Sequence, residues 1–168
     1  MNWCTSHRAH APDAALADRH YNRQSVGSMQ FVPPGRCMVL LSQNRQAVWV
    51  TSWPFPEFTK HQWAGAWVNS LFRNEGPGRA SDLIRAAVAA TKARWTPPPL
   101  GIVTFVDPTA VRPTVRRGRE IFGYCYLKAG FRHVGFTKRH GLWVWQMLPA
   151  EMPDASHASG SNGDLFCG

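Results

Sequence analysis

The clearest pattern in the chain is a pair of short apolar runs, Cys37 to Ser42 and Ala47 to Trp53, separated by the polar stretch Gln43 to Gln46. That spacing predicts a β-hairpin, and Pro54 and Pro56 end its second strand. Upstream, Ala14 to Tyr21 predicts a short helix that leads through Gly27 and the Pro33-Pro34-Gly35 turn into the first strand. Downstream, Ala66 to Phe72 predicts a third strand that delivers the chain to Arg73 and the Gly76-Pro77-Gly78 turn. The pattern then changes period. Leu83, Ile84, Ala87, Val88 and Trp95 fall on one helical face, with Arg85, Lys92 and Arg94 off it, so a helix packed on the sheet is expected. Pro97-Pro98-Pro99 stops that helix, and the continuous apolar run Ile102 to Val106 predicts a central buried strand. A second helix is expected over about Arg119 to Ala129. Gly130 stands at its left-handed cap position, with Tyr126 and Phe131 placed for the accompanying apolar contact. Leu142 to Met147 predicts a last strand. The fold class is α/β (α+β), with helices flanking a central sheet.

The two ends show no such pattern. Residues 1–13 lack periodicity and residues 149–168 are rich in Ala, Ser, Gly, Asn and Asp, so both are expected to be flexible around one domain at 14–148. With 168 residues and 44% apolar content, that domain is large enough to bury a real core. No apolar run approaches the roughly 18 residues of a membrane helix, and residues 1–20 lack a signal-peptide pattern, so no membrane partner and a cytoplasmic location are expected. Cys4, Cys37, Cys125 and Cys167 form no CxxC pair and suit neither a zinc knuckle nor a disulfide framework. Cys37 and Cys125 read as small buried residues.

Charge changes the picture more than composition does. The formal net charge is +9, and eight Lys or Arg against one acid, Glu120, place +7 of it between Arg112 and Arg139. A dense cluster of this kind (Arg112, Arg116, Arg117, Arg119, Lys138 and Arg139 among it) fits a surface that neutralises phosphates, with salt-sensitive binding of double-stranded DNA. The competing reading is a solvated basic face kept for solubility.

Candidate chemistry gathers at element ends. The Arg73 to Gly78 turn lies between a strand and a helix N-terminus, where a phosphate-bearing donor is often held; Arg73, Gly76, Gly78 and Ser81 are its candidate donor-binding residues. Pro77 removes one N–H from that turn. Ser81 reads first as a helix cap and second as a donor-binding group, and Arg73 reads also as a solvated charge. Asp107 follows the buried strand, at the sheet edge where ligands bind in open α/β folds, and reads equally as a turn former before Pro108. His20 and Tyr21 offer an imidazole and a phenol that, with Asp107, make either an N/O metal site or an acid–base set; the alternative is a surface histidine and a packed tyrosine.

The order of elements, the R-x-x-G-x-G turn at Arg73 to Gly78 and Tyr126-Leu127-Lys128-Ala129-Gly130-Phe131 resemble the GNAT acyltransferase superfamily. The resemblance implies a GNAT-like mixed, mostly antiparallel central sheet, an acetyl-CoA site at the turn, and Tyr126 as general acid. Within that superfamily, Asp18-Arg19-His20-Tyr21, Phe31 to Arg36, Phe72-Arg73-Asn74-Glu75, Ala80 to Ile84, Thr104 to Asp107, Gly123-Tyr124-Cys125-Tyr126 and Ala129-Gly130-Phe131 together resemble the Mom DNA-modification proteins of Mu-like phages and prophages, over about residues 14–148. This implies addition of a carbamoylmethyl (glycinamide-type) or acyl-derived group to adenine N6 in DNA, in a bacterial host's cytoplasm, protecting phage DNA from restriction. It also implies an Fe(II) ion and brings Tyr124 forward as a catalytic candidate beside His20, Tyr21, Asp107 and Tyr126. The donor stays open between acetyl-CoA and another acyl or glycyl carrier, and the oligomeric state stays open, a dimer included. Two other classes compete: an acetyl-CoA-dependent N-acetyltransferase acting on a small amine or protein, and a non-catalytic DNA-binding module. Tyr124 and Tyr126 lie about 200° apart on a helix, so only one is expected to face a cleft. Trp49, Trp53, Trp67, Trp143 and Trp145 read mainly as core, with one or two available to stack on an extruded base.

Overall fold

The structure, a computed structural model, describes residues 3–6, 11–20 and 35–160. In chain order its elements are β1 (Trp3–Ser6), α1 (Ala11–Asp18), β2 (Arg36–Ser42), β3 (Ala47–Trp53), β4 (Trp67–Asn74), α2 (Ala80–Arg94), β5 (Ile102–Val106), β6 (Thr114–Arg116), β7 (Arg119–Ile121), α3 (Tyr124–Ala129), β8 (Arg132–Phe136) and β9 (Trp143–Met147). Seven strands form one sheet in the order β1-β2-β3-β4-β5-β9-β8, and β6 and β7 form a separate hairpin. Every neighbouring pair in the large sheet is antiparallel except β4 and β5. The molecule is therefore mixed α+β, with a mostly antiparallel sheet. No helix among the described residues is long and apolar enough to cross a membrane.

The apolar runs of β2 and β3 are continuous because both sheet faces are covered. Leu40 and Trp49 point into the cluster that holds Ile84 and Val88 of α2 and Phe131 beyond α3, while Val39, Leu41, Val48 and Val50 meet Leu16 and Ala17 of α1 on the opposite face. Farther along that face, Trp63 covers Val103 and Val144. Helix α2 follows its apolar pattern and ends at Trp95, whose ring packs 5.6 Å from Trp53 and 6.2 Å from Trp67. Gly130 takes a left-handed φ of 101° at the end of α3, and the Tyr126 and Phe131 rings meet edge-on at 5.4 Å, as the sequence predicts.

The feature that positions a site is a fork. β4 and β5 pair only from Trp67 with Ile102 to Asn69 with Thr104. Beyond that point β4 continues to Asn74 beside β3 alone, after a register shift that leaves Ser70 unpaired against Val50 and Thr51. β5 meanwhile continues beside β9 to Val106. A bulge turns a strand and increases its twist, and here it coincides with the parting of β4 from β5.

Several expectations need correction. Residues 3–6 are not free of the domain: Trp3 is buried, β1 pairs with β2, and the Trp3 indole donates to the Leu83 carbonyl. The stretch after β9 is not free up to residue 160 either. Met152 and Ala158 are buried, the Ser156 N–H donates to the Ala89 carbonyl, and Ser159 exchanges backbone hydrogen bonds with Trp3 and Thr5. Cys4 is disulfide-bonded, whereas Cys37 and Cys125 take part in no disulfide and are half-buried. The expected helix over Arg119 to Ala129 begins only at Tyr124, because Gly123 has φ 85° and residues 119–121 pair with β6. Arg117 and Gly118 both have positive φ, 50° and 72°, the conformation of a two-residue hairpin turn. The first helix runs from Ala11 to Asp18 rather than to Tyr21. Tyr21, Gly27 and Phe31 to Pro34 lie outside the described residues.

Candidate functional site

At the fork opens a cleft of about 510 Å³. Phe72 of β4 and Val106 of β5 form its diverging walls, Arg79, Ala80 and Ser81 at the start of α2 form one side, and Gly123, Tyr124, Cys125 and Tyr126 form the other. His20, just past α1, closes an end, and Arg112 and Lys128 bring two further cations. Separate parts of the sequence thus converge because β4 and β5 part and the N-termini of α2 and α3 fill the gap.

The start of α2 is open to the cleft. Its N-cap is Arg79, which makes no side-chain capping bond, and Ser81, expected first as the cap, lies inside the first turn and lines the cavity. Helix N-termini favour anions through their unpaired N–H groups and dipole. Arg79, Arg112 and Lys128 add positive charge to the same lining. The turn before α2 contributes less. The Gly76 N–H donates to the Asn74 side chain at 3.0 Å, the Asn74 amide donates to the Gly78 carbonyl at 2.7 Å, and Pro77 has no N–H. A Cβ on Gly76 would stand 3.1 Å from Gln46, so this glycine serves close packing against the β2–β3 turn.

Arg73 is engaged away from the cleft. Its Nε donates to Glu75 at 2.8 Å and its guanidinium donates to the Arg19 carbonyl at 2.6 Å, while Arg19 makes a two-pronged bond to the same carboxylate at 2.6 and 2.8 Å. These bonds, Arg19 first, hold the Glu75 carboxyl down at about 2. The cluster ties the end of α1 to the end of β4 and so fixes the position of His20. Burial, assisted by the nearby Arg73 charge, lowers the His20 imidazole to about 4, so it is neutral at pH 7.

The two tyrosines differ in role. Tyr126 is only 8% exposed, and its hydroxyl donates to Asn69 Oδ1 at 2.8 Å. Asn69 accepts a second bond from Thr104 and donates to the Val50 and Leu71 carbonyls, so one buried amide spans the bulge and the last paired residues of the fork. Tyr124, half-buried, has the Arg116 guanidinium over its ring at 5.1 Å. Both line the cleft, against the expectation that only one would, because Tyr124 begins the six-residue α3 instead of lying inside a longer helix. Cys125 joins them, but burial pushes its thiol up to about 11, so it is protonated and not a nucleophile.

Asp107 is placed elsewhere. Its carboxylate accepts from the Thr109 hydroxyl at 2.7 Å and the Thr109 N–H at 2.8 Å, which hold it below its ordinary range, and it does not line the cleft. That is the turn-forming use of an aspartate. Among the described residues no three His, Cys, Asp or Glu side chains converge as a metal set. Of His20, Tyr21 and Asp107, His20 lines the cleft, Asp107 does not, and Tyr21 lies outside the described residues.

The basic cluster divides. Arg112 lines the cleft, Arg116, Arg117 and Arg119 lie on the β6–β7 hairpin, and Lys138 and Arg139 sit at the β8–β9 turn beside Lys60 and His61. The sequence reading missed Asn69 and Arg79. The signal for Asn69 was an amide inside an otherwise apolar strand, where a buried polar group needs partners. No family model matches the chain, and neither does a curated protein or a solved structure.

Proposed function

We propose that the chain is a Mom-like, GNAT-like transferase that adds a carbamoylmethyl or other acyl-derived group to adenine N6 in DNA. The observation that carries the reading is the cleft at the fork, where the first turn of α2 and both tyrosines of α3 meet. Those residues belong to the segments through which the sequence resembles the Mom proteins. The sheet order adds support: antiparallel strands on either side of one short parallel pair, with α2 connecting β4 to β5, suit a GNAT-like frame.

The chemistry follows from the residues. An exocyclic adenine amine is a weak nucleophile, so it has to be positioned and relieved of a proton as it attacks. His20 is neutral and is assigned the N6 proton as the new N6–carbon bond forms. A bound acyl or glycyl donor supplies the electrophilic carbon and a leaving group that departs with the electron pair of the broken bond. Ser81, the first turn of α2, Arg79 and Lys128 hold the donor's anionic portion, and the Tyr124 hydroxyl donates to charge that develops on it. Tyr126 is committed to Asn69 and positions the wall. Asp107, engaged by Thr109, has no step. Arg112 and the hairpin arginines meet the DNA phosphates.

Mass spectrometry of nucleosides from plasmid DNA of expressing cells tests the reading. An adenine of increased mass is expected with the wild type and not with His20→Ala. Unmodified DNA from folded wild-type protein, or full modification by His20→Ala, would overturn it.

A further inference from the structure

Next to the cleft, the structure forms a second hollow of about 680 Å³ between the β6–β7 hairpin and strands β8 and β9. Arg116, Arg117 and Arg119 line one side, with Glu120 as the acid among them; His133, Trp143 and Trp145 line the other. The His133 and Trp143 rings are stacked, with centroids 4.3 Å apart and planes 23° from parallel, and Trp143 lies 24° from parallel to Trp145. Phe136, 56% exposed, packs edge-on against both His133 and Trp143. These rings form a stacked column with the exposed His133 at one end, and a ring face beside several guanidinium groups satisfies both parts of a nucleotide: stacking for the base and cations for the phosphates. Proteins rarely leave such surface uncovered without a use for it.

The hollow adjoins the cleft. Arg116, which lines the hollow, covers the ring of Tyr124, which lines the cleft, and the Trp145 indole donates to the Phe122 carbonyl at 2.9 Å, just before Gly123. We infer that the hollow takes a nucleotide of the same DNA strand next to the target adenine, its base stacked on His133, which Trp143 backs, and its phosphates on the hairpin arginines. The identity of that strand rests on the DNA-modifying reading above. A base can reach the platform only when it is out of its duplex stack, so the site selects unpaired or locally opened DNA.

The test uses a mixed-sequence single-stranded oligodeoxynucleotide carrying 2-aminopurine, the same oligonucleotide in a duplex, and heparin as a polyanion without bases. The single strand is expected to bind with a stacking change in 2-aminopurine fluorescence and to outcompete heparin at matched charge. His133→Ala, on the sheet edge, is expected to weaken binding ~10-fold with the salt dependence unchanged, the scale of one lost base stack. Arg119→Ala is expected to weaken binding and flatten its salt dependence by about one charge. Circular dichroism of each variant verifies the fold. Unchanged binding in folded His133→Ala, or heparin binding as well as the oligonucleotide, overturns the inference. Nucleoside mass spectrometry run in parallel separates the two claims. Modified adenine with oligonucleotide binding indifferent to His133→Ala and Arg119→Ala would sink the nucleotide site alone. Binding that responds to both variants, with no modified adenine in the wild type, would support the nucleotide site and sink the transferase reading.

Discussion

The cleft at the fork and the hollow next to it are similar in size and opposite in construction. In the cleft, the polar groups are tied down: Tyr126 to Asn69, Asn69 to three further partners, and His20 held neutral by burial. In the hollow, the arginines are exposed and the aromatics pack on one another. Burial and full hydrogen bonding fix geometry and shift protonation, which chemistry requires. Exposed cations and stacked rings give affinity with tolerance, which holding a strand requires. The contrast suits the proposed division of reaction to one region and retention to the other, and several changes break or sharpen it.

The largest effect is expected from Asn69→Ala. It removes the side-chain amide that accepts from Tyr126 and donates to the Val50 and Leu71 carbonyls, while the Thr104 hydroxyl keeps the Asn69 backbone carbonyl at 3.2 Å, and each buried group stranded costs about 1–3 kcal/mol. A loss on the order of 3 kcal/mol or more is expected in urea unfolding, and a loss under about 1 kcal/mol would show that the network does not hold the fork. Gly123→Ala comes next. Its Cβ would stand 2.8 Å from the Trp145 indole nitrogen and 3.0 Å from Val106, at a φ of 85°. The strain of about 1–2 kcal/mol for a left-handed residue, added to the clash, is expected to lower both modification and oligonucleotide binding, since this residue lies between the two regions. If only one function falls, the regions are less coupled than their shared wall implies.

A titration effect follows. The folded His20 titrates near 4 and the unfolded one near 6.5, so the unfolded chain binds the proton more readily. The stability this contributes is complete above about pH 6.5, is lost as pH falls toward 4, and changes no further below that. His20→Gln is expected to remove that part of the pH dependence, and an imidazole NMR titration near 6.5 in the folded protein would contradict the assignment. The smallest effect belongs to the exposed Arg19–Glu75–Arg73 cluster. With Glu75 lowered to about 2 from 4.5, its contribution is present above 4.5 and fades as pH falls toward 2. Glu75→Gln is expected to change thermal stability little while shifting the His20 titration, because it releases both arginines next to α1.

How far the sequence could be read depended on whether a residue's partners were near it. The β2–β3 hairpin, α2, β5 and the Gly130 cap were legible, since their signals lie in local periodicity and turn chemistry. β1 was not, because the partners that bury Trp3, among them Ser42, Leu83 and Ser159, lie far along the chain. The β6–β7 hairpin was hidden in a run of arginines, one of which, Arg117, takes the positive φ normally left to glycine or asparagine. β8 is almost wholly exposed and shows no alternation to read. At the site, His20, Ser81, Tyr124 and Tyr126 stood at element ends and come together in the cleft. Arg73, Gly76, Gly78 and Asp107 stood at element ends too, but local bonds to Glu75, Asn74 and Thr109 absorb three of them, and packing against Gln46 accounts for Gly76. Sequence position alone does not separate these two outcomes, because a turn residue's nearest partner is decided by side-chain geometry.

The central claim is that reaction and strand retention reside in separate regions, and a crossed measurement tests it most directly. His20→Ala and Arg119→Ala are each scored for modified adenine in cellular DNA and for single-stranded oligonucleotide affinity. The account predicts that His20→Ala abolishes modification while binding the oligonucleotide like the wild type, and that Arg119→Ala weakens binding while retaining modification at saturating DNA. Both variants losing both properties in parallel while folded, or His20→Ala modifying DNA normally, would contradict it.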